Sequence, residues 1–263
     1  MQNKNKERDT AQDLSDAQSE RTGDSYIRLA MRRLMGRGVR LEVASVFGDR
    51  FSKMYDLSKR THERFELQSM NGLPFPSLAQ VSEAFTREEL IFARSYQQPM
   101  LVLTPPGKTD EDLFQILAER SGLGGQMGLR LSNAGPMPSF LQEEYGAFIT
   151  EGSAKIIPCG DRRNSSLLRR CKKQVNNYEQ GECGMRGDIY AMLAMQSLMR
   201  GDLIDKENYT VFDGEEIIGG KYVPVGHCEP HRPIREWLPA KDETRLRARF
   251  RRVIGGRFVN PEL

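Results

Sequence analysis

Apolar positions along this chain recur with two different spacings. Recurrence every three to four residues, which marks one face of a helix, runs through Tyr26, Ile27, Leu29, Ala30 and Leu34, then through Phe51, Met54, Leu57 and Phe65, and again over 189–199. The first of these follows the cap signal Asp24-Ser25 and stops at Gly36 or Gly38, and the last lies between Gly187 and Gly201. Short apolar runs without that period read as strands: 100–103 after Pro99, and 209–225 as strand, Gly-rich turn and strand.

Two helix starts are written in polar residues. In Thr86-Arg87-Glu88-Glu89 the Thr86 hydroxyl can accept from the Glu89 amide while Glu89 reaches back, ahead of Leu90, Ile91 and Phe92. Thr109 precedes Asp110, Glu111 and Asp112, three carboxylates at the positive end of a helix carrying Leu113, Phe114, Ile116 and Leu117, with Gly122 placed to end it. Over 244–254, Leu246, Phe250, Val253 and Ile254 fall at i, i+4, i+7 and i+8, predicting a final amphipathic helix with Arg245, Arg249 and Arg252 along its flank. Pro224, Pro230, Pro233 and Pro239 predict an irregular stretch before it.

The break Asn71-Gly72-Leu73-Pro74-Phe75-Pro76-Ser77 divides an N-terminal helical region, 24–70, from a main domain, 71–263. Residues 1–23 are almost entirely polar and predict a disordered tail, because they hold too little apolar surface to offset chain entropy. Helices and strands do not alternate strictly, so the expected class is α+β, with a small mixed or antiparallel sheet and several helices.

The same chain contains local patterns that resemble nucleotide sites and fail on spacing. Gly107-Lys108-Thr109 follows an apolar run, but a phosphate-cradling loop needs a glycine where Val102 stands, and Pro105 and Pro106 remove amide donors. A strand leaving through a Pro-Pro turn into a capped helix accounts for every residue. Gly122, Gly124 and Gly128 follow a helix and have the wrong interval for a dinucleotide turn, so a loop is expected. Met192, Met195 and Met199 share a helix face and read as core packing.

Charge adds information that periodicity does not. Lys155–Lys173 holds seven basic residues and one acid, and Arg232–Arg257 holds nine against three, so each carries +6 in a chain of net charge +3 and the remainder carries −9. Guanidinium groups gathered outward suit phosphates, since each planar fork can make two parallel charged hydrogen bonds. The function expected is therefore non-catalytic binding or scaffolding, engaging a polyanion such as nucleic acid, or an acidic protein partner. The residues expected to carry it are Arg162, Arg163, Arg169, Arg170, Lys172, Lys173, Arg245, Arg249, Arg251 and Arg252. Pairing with the chain's own acids, or contact with an anionic membrane surface, are the competing uses of the same charge.

His227-Cys228-Glu229-Pro230-His231 is where histidine and cysteine crowd together. The alternative function is a small soluble enzyme with a site around His227, Cys228 and His231, whose imidazole and thiolate groups are the donors zinc prefers. No C-x-x-C pair supports that ion, and adjacent residues of an extended stretch point to opposite faces, which opposes a Cys228 nucleophile with a neighbouring base. No cofactor is otherwise implied. The sequence has no apolar segment long enough to span a bilayer and no leader-like start, so a cytoplasmic location with reduced Cys159, Cys171, Cys183 and Cys228 is expected. Phe85–Leu90 followed by Gln98–Pro106 resembles segments of uncharacterised bacterial proteins, over less than a tenth of the chain, and implies no activity.

Overall fold

A computed structural model describes residues 45–67, 72–121, 128–130, 141–152, 182–206, 208–213, 222–229, 232–239 and 248–259. The tail over 1–23, the helix expected over 26–34 and the loops expected over 122–127 and 132–139 lie outside these.

Helix α1, Asp49–Arg64, buries Phe51, Met54, Ser58, Thr61 and His62, one face at helical spacing. Three capping boxes start the next helices: Ser77 with Gln80 at α2, Leu78–Glu83; Thr86 with Glu89 at α3, Arg87–Ala93; and Thr109 with Asp112 at α4, Asp110–Arg120. In the last, the Asp112 amide donates to Thr109 Oγ1 at 3.1 Å and the Thr109 amide donates to Asp112 Oδ2 at 2.8 Å. Strand β1, Pro99–Thr104, leads through the Pro105-Pro106-Gly107 turn into α4, so the Gly-Lys-Thr triplet is the capped turn expected.

The further strands are β2 (Gly128–Arg130), β3 (Tyr145–Glu151), β4 (Glu182–Cys183), β5 (Tyr209–Val211), β6 (Tyr222–Glu229), β7 (Arg232–Pro239), β8 (Ala248–Arg249) and β9 (Val253–Val259). They form two sheets, making the fold α+β. The first has the order β1-β3-β9-β4 and is antiparallel throughout. The second has the order β2-β7-β6-β5-β8, with antiparallel pairs at its centre and parallel pairs at both edges.

Helix α5, Gly187–Met199, is buried from Gly187 to Ser197, as a helix with apolar residues all round must be. It packs against α1, α4, β1 and β6, between the two sheets. Alternation sorts the first sheet's side chains: Met100, Val102, Phe148 and Val253 join the α5 cluster, while Leu101, Leu103, Ala147, Ile149 and Ile254 join the cluster formed with α1, α2 and α3. Both faces of this sheet are covered, which is why β1 reads as continuous apolar sequence. Met192 and Met195 are core residues, as expected from their stripe. Close approach of α5 to β6 depends on Gly226, where an added Cβ would sit 2.6 Å from the Phe212 ring and 2.7 Å from that of Tyr190.

Two expectations are overturned. The final helix is absent: 248–249 and 253–259 are strands, with Phe250 between them in a cluster on the far face of the second sheet. Val253 and Ile254 are β-branched and each meets a different apolar layer, so tertiary cover decides against the helical spacing. Glycine then supports a bulge, since β9 slips register against Ala147 and Phe148, and Gly255 takes φ 113° where an added Cβ would strike the Ala147 carbonyl oxygen. The second strand expected by 225 is β6, but the prolines do not make the stretch after it irregular: 226–229 and 232–239 are strand. Pro224 and Pro233 stand within the β6–β7 pairing, opposite Trp237 and Cys228, and the Pro224 carbonyl still accepts from the Phe212 amide at 2.9 Å. No helix among the described residues is long and apolar enough to cross a membrane.

Candidate functional site

The basic C-terminal segment turns inward at its most conspicuous point. Arg251, in the link between β8 and β9, is 2% exposed. Its Nε donates to Thr210 Oγ1 at 2.9 Å, its Nη1 to the carbonyls of Glu151 and Gly152 at 2.9 and 3.0 Å, and its Nη2 to Asp205 Oδ1 at 2.9 Å. Thr210 Oγ1 in turn donates to the other Asp205 oxygen. A buried guanidinium is tolerable only when its donors are met in this way.

Arg252 follows the same logic at the surface of the core. Its Nε and Nη2 donate to Glu151 Oε1 at 3.2 and 2.8 Å, and its guanidinium lies 4.5 Å from the Tyr96 ring centroid and 5.7 Å from that of Phe92. The Tyr96 hydroxyl donates to Glu182 Oε1 at 3.1 Å, and burial, then the Glu182 charge, raises its pKa. Glu151 and Gly152 stand just before the segment 153–181, and Glu182 just after it. Arg251, Arg252 and Tyr96 therefore fasten together the two ends of the stretch that holds the other basic segment.

A polar cavity of about 390 Å³ opens beside this clamp, lined among others by Gln98, Gly152, Ser197, Arg200, Asp202 and Arg251. Arg200 is exposed at it, its Nη1 3.2 Å from Met100 Sδ. Asp202 is held by Lys206 at 2.9 Å, which with the Leu203 amide lowers its pKa.

Arg235 is the third inward arginine of the basic C-terminal segment. It contacts Asp110, the first residue of α4, and both are buried. Burial raises the Asp110 carboxyl to about 6; Arg235 pulls it down and Asp188 pushes it up. Asp188, in the first turn of α5, accepts from Arg186 at 2.6 and 3.0 Å and from Gln142 Nε2 at 2.9 Å, and Gln142 Oε1 accepts from Thr104 Oγ1 at 3.0 Å. Two helix N-termini are thus served by buried carboxylates, which the dipoles favour.

Of the ten expected polyanion contacts, Arg251 and Arg252 are corrected: they pair with the protein's own Asp205 and Glu151, and the described residues 248–259 form no helix. Arg249 lies in β8. Arg162, Arg163, Arg169, Arg170, Lys172, Lys173 and Arg245 lie outside the described residues.

His227 and Cys228 are likewise divided. His227 faces the far side of the second sheet, where Nε2 is 3.0 Å from Glu236 Oε1 and the ring meets that of Tyr209 at 4.7 Å. Cys228 faces α5, its Sγ 4.0 Å from the Tyr190 hydroxyl, and burial pushes its thiol up to about 12. The two side chains stand on opposite faces of β6, so one ion does not take both. His231 is outside the described residues. Among those residues no group of three or more His, Cys, Asp or Glu side chains is placed to hold a metal. Cys183 and Cys228 are free thiols, and burial also pushes Cys183 up to about 12.

Sequence reasoning did not find Asp205, Thr210, Glu151 or Tyr96 as partners of these arginines. Arg251 and Asp205 are 46 residues apart, and no local spacing links them. No family model, no curated protein and no solved structure matches this chain.

Proposed function

We propose that this protein is a non-catalytic binding module that engages a polyanion, a nucleic acid first among them, through Arg162, Arg163, Arg169, Arg170, Lys172 and Lys173. The observation that carries the reading is the clamp of Arg251 and Arg252 on Glu151 and Gly152. Three arginines of the C-terminal segment are neutralised inside the fold, which leaves 155–173 as the densest run of positive charge, with seven basic residues against one acid. Glu151 and Gly152, just before that segment, and Glu182, just after it, are held by Arg251, Arg252 and Tyr96, and the polar cavity beside Gly152 carries the exposed guanidinium of Arg200. Rooting matters because a charged segment held at both ends loses less chain entropy on binding than a free tail.

Filter binding of the full chain to single-stranded and duplex oligonucleotides at low and moderate salt tests this. Four phosphates neutralised on a duplex give a logarithmic salt slope near −3.6, or roughly 150-fold weaker binding for a fourfold rise in salt. Joint reversal of Arg162, Arg163, Arg169 and Arg170 to Glu removes that slope along with the affinity. Binding that ignores both salt and the reversal refutes the reading. A partner that co-purifies after nuclease digestion points instead to an acidic protein.

A further inference from the structure

A second cavity, of about 340 Å³, lies between the last turns of α1, the 72–75 stretch and the first residue of β3. Its size falls within the range of small-molecule pockets, roughly 300 to 1,000 Å³. Three rings stand together at its wall: His62 and Phe75 at 4.9 Å between centroids, Phe75 and Tyr145 at 5.7 Å, and His62 and Tyr145 at 5.9 Å. Leu67 and Leu73 complete the apolar lining.

One polar group here is unanswered. Tyr145 is 2% exposed, and its hydroxyl has no hydrogen-bond partner among the described residues. Other tyrosines in this fold differ: the Tyr55 hydroxyl donates to the Pro76 carbonyl at 2.8 Å, and that of Tyr96 to Glu182 at 3.1 Å. The hydroxyl is not sealed in the core but belongs to a residue that lines the cavity, so a group that accepts its hydrogen can reach it from there. The neighbouring imidazole is engaged elsewhere: His62 Nε2–H donates to the Leu103 carbonyl at 2.7 Å, and Nδ1 lies 3.4 Å from the Leu67 carbonyl.

The rim carries little net charge. Lys59 is offset by Glu63, and Glu66 is bridged to Arg120 at 2.7 Å. An ion gains nothing here over water, whereas a neutral flat molecule gains ring-edge contacts and loses little hydration. We infer that this cavity is a binding site for a small neutral aromatic molecule bearing a carbonyl acceptor, an aromatic amide being the simplest, with Tyr145 donating to the carbonyl and Phe75 and His62 packing against the ring.

Benzamide titrated into the full chain, read by saturation-transfer NMR, tests the site. Affinity in the millimolar range is expected for so small a molecule. Tyr145→Phe keeps the ring contacts and removes the donor, and weakens benzamide about fivefold, the value of one hydrogen bond of about 1 kcal/mol. Leu73→Trp, at a half-buried wall position outside any helix or strand, fills the cavity and abolishes the signal while melting stays cooperative. Benzoate and cyclohexanecarboxamide, which lack the neutral head or the flat ring, bind more weakly than benzamide. Absence of saturation transfer from benzamide, or equal transfer in the wild type and both variants, overturns the inference.

Discussion

Replacing His62 by glutamine will remove an acid-sensitive part of this protein's stability. The imidazole is 5% exposed, and burial holds its pKa down from 6.5 to about 4, against the smaller raising effects of the Leu103 and Leu67 carbonyls. Above 6.5 the ring is neutral in both folded and unfolded chains and contributes no pH dependence. Between 6.5 and 4 the unfolded chain takes up a proton that the folded one refuses, so stability falls as the pH drops and the loss is complete below about 4. At about 1.4 kcal/mol for each tenfold difference in proton affinity, the total is about 3 kcal/mol. Glutamine offers an amide donor to the Leu103 carbonyl and does not titrate. Asp110 acts in the opposite sense over much the same range: its carboxyl, raised from 3.8 to about 6, binds a proton in the folded state first, so it adds stability as the pH falls from 6 towards 3.8. The wild-type curve alone therefore mixes two opposed slopes, and the comparison has to be between proteins. Urea unfolding of wild type and His62→Gln, in steps from pH 7 to pH 4, should show their stability difference shifting by about 3 kcal/mol in favour of the variant. A difference that stays constant across that range, or moves towards the wild type, refutes the assignment of a buried neutral imidazole.

The remaining predictions concern the clamp and the bulge. Arg251→Met strands the Asp205 carboxylate in the core and should cost about 3 to 5 kcal/mol in urea unfolding, while adding Asp205→Asn restores part of the loss; equal stability of single and double variants would contradict the pairing. Gly255→Ala meets the Ala147 carbonyl at a positive φ and should lower stability by about 2 kcal/mol or more. Gly201→Ala, at φ 81° with open space around it, should cost only about 1 kcal/mol of backbone strain, so similar melting temperatures for the two would undo the steric argument.

Elements governed by neighbours in sequence were legible. The boxes at Thr86 and Thr109, the short strand after Pro99 and the buried helix between Gly187 and Gly201 all follow from contacts within one turn or one strand. The Ser77–Gln80 box has the same visible signature and marks α2. Beyond that range the letters mislead. Leu246, Phe250, Val253 and Ile254 satisfy a helical period, yet Val253 and Ile254 are claimed by layers on opposite sides of a sheet whose other strands lie far back in the sequence. Prolines pointed to an irregular backbone after 225 because nothing local shows that Pro224 and Pro233 can stand within a pairing, with the Pro224 carbonyl still accepting from the Phe212 amide. The arginines were read as outward because charge is outward by default; the carboxylate that draws Arg251 in is legible only in three dimensions.

Strand β9 has a further consequence for how the molecule is made. It lies between β3 and β4, yet it comes after every other described element, about a hundred residues beyond β3. During translation β3 and β1 must wait as a two-stranded piece with one backbone edge open, the kind of edge that recruits stray strands, and the Glu151 carbonyl waits with them for Arg251. The ribosome delivers the centre of the first sheet, the β8 edge of the second and the guanidinium clamp within the same dozen residues. The β3–β9–β4 pairing, the β8 edge and the guanidinium clamp can thus form only after 248–259 has been synthesised.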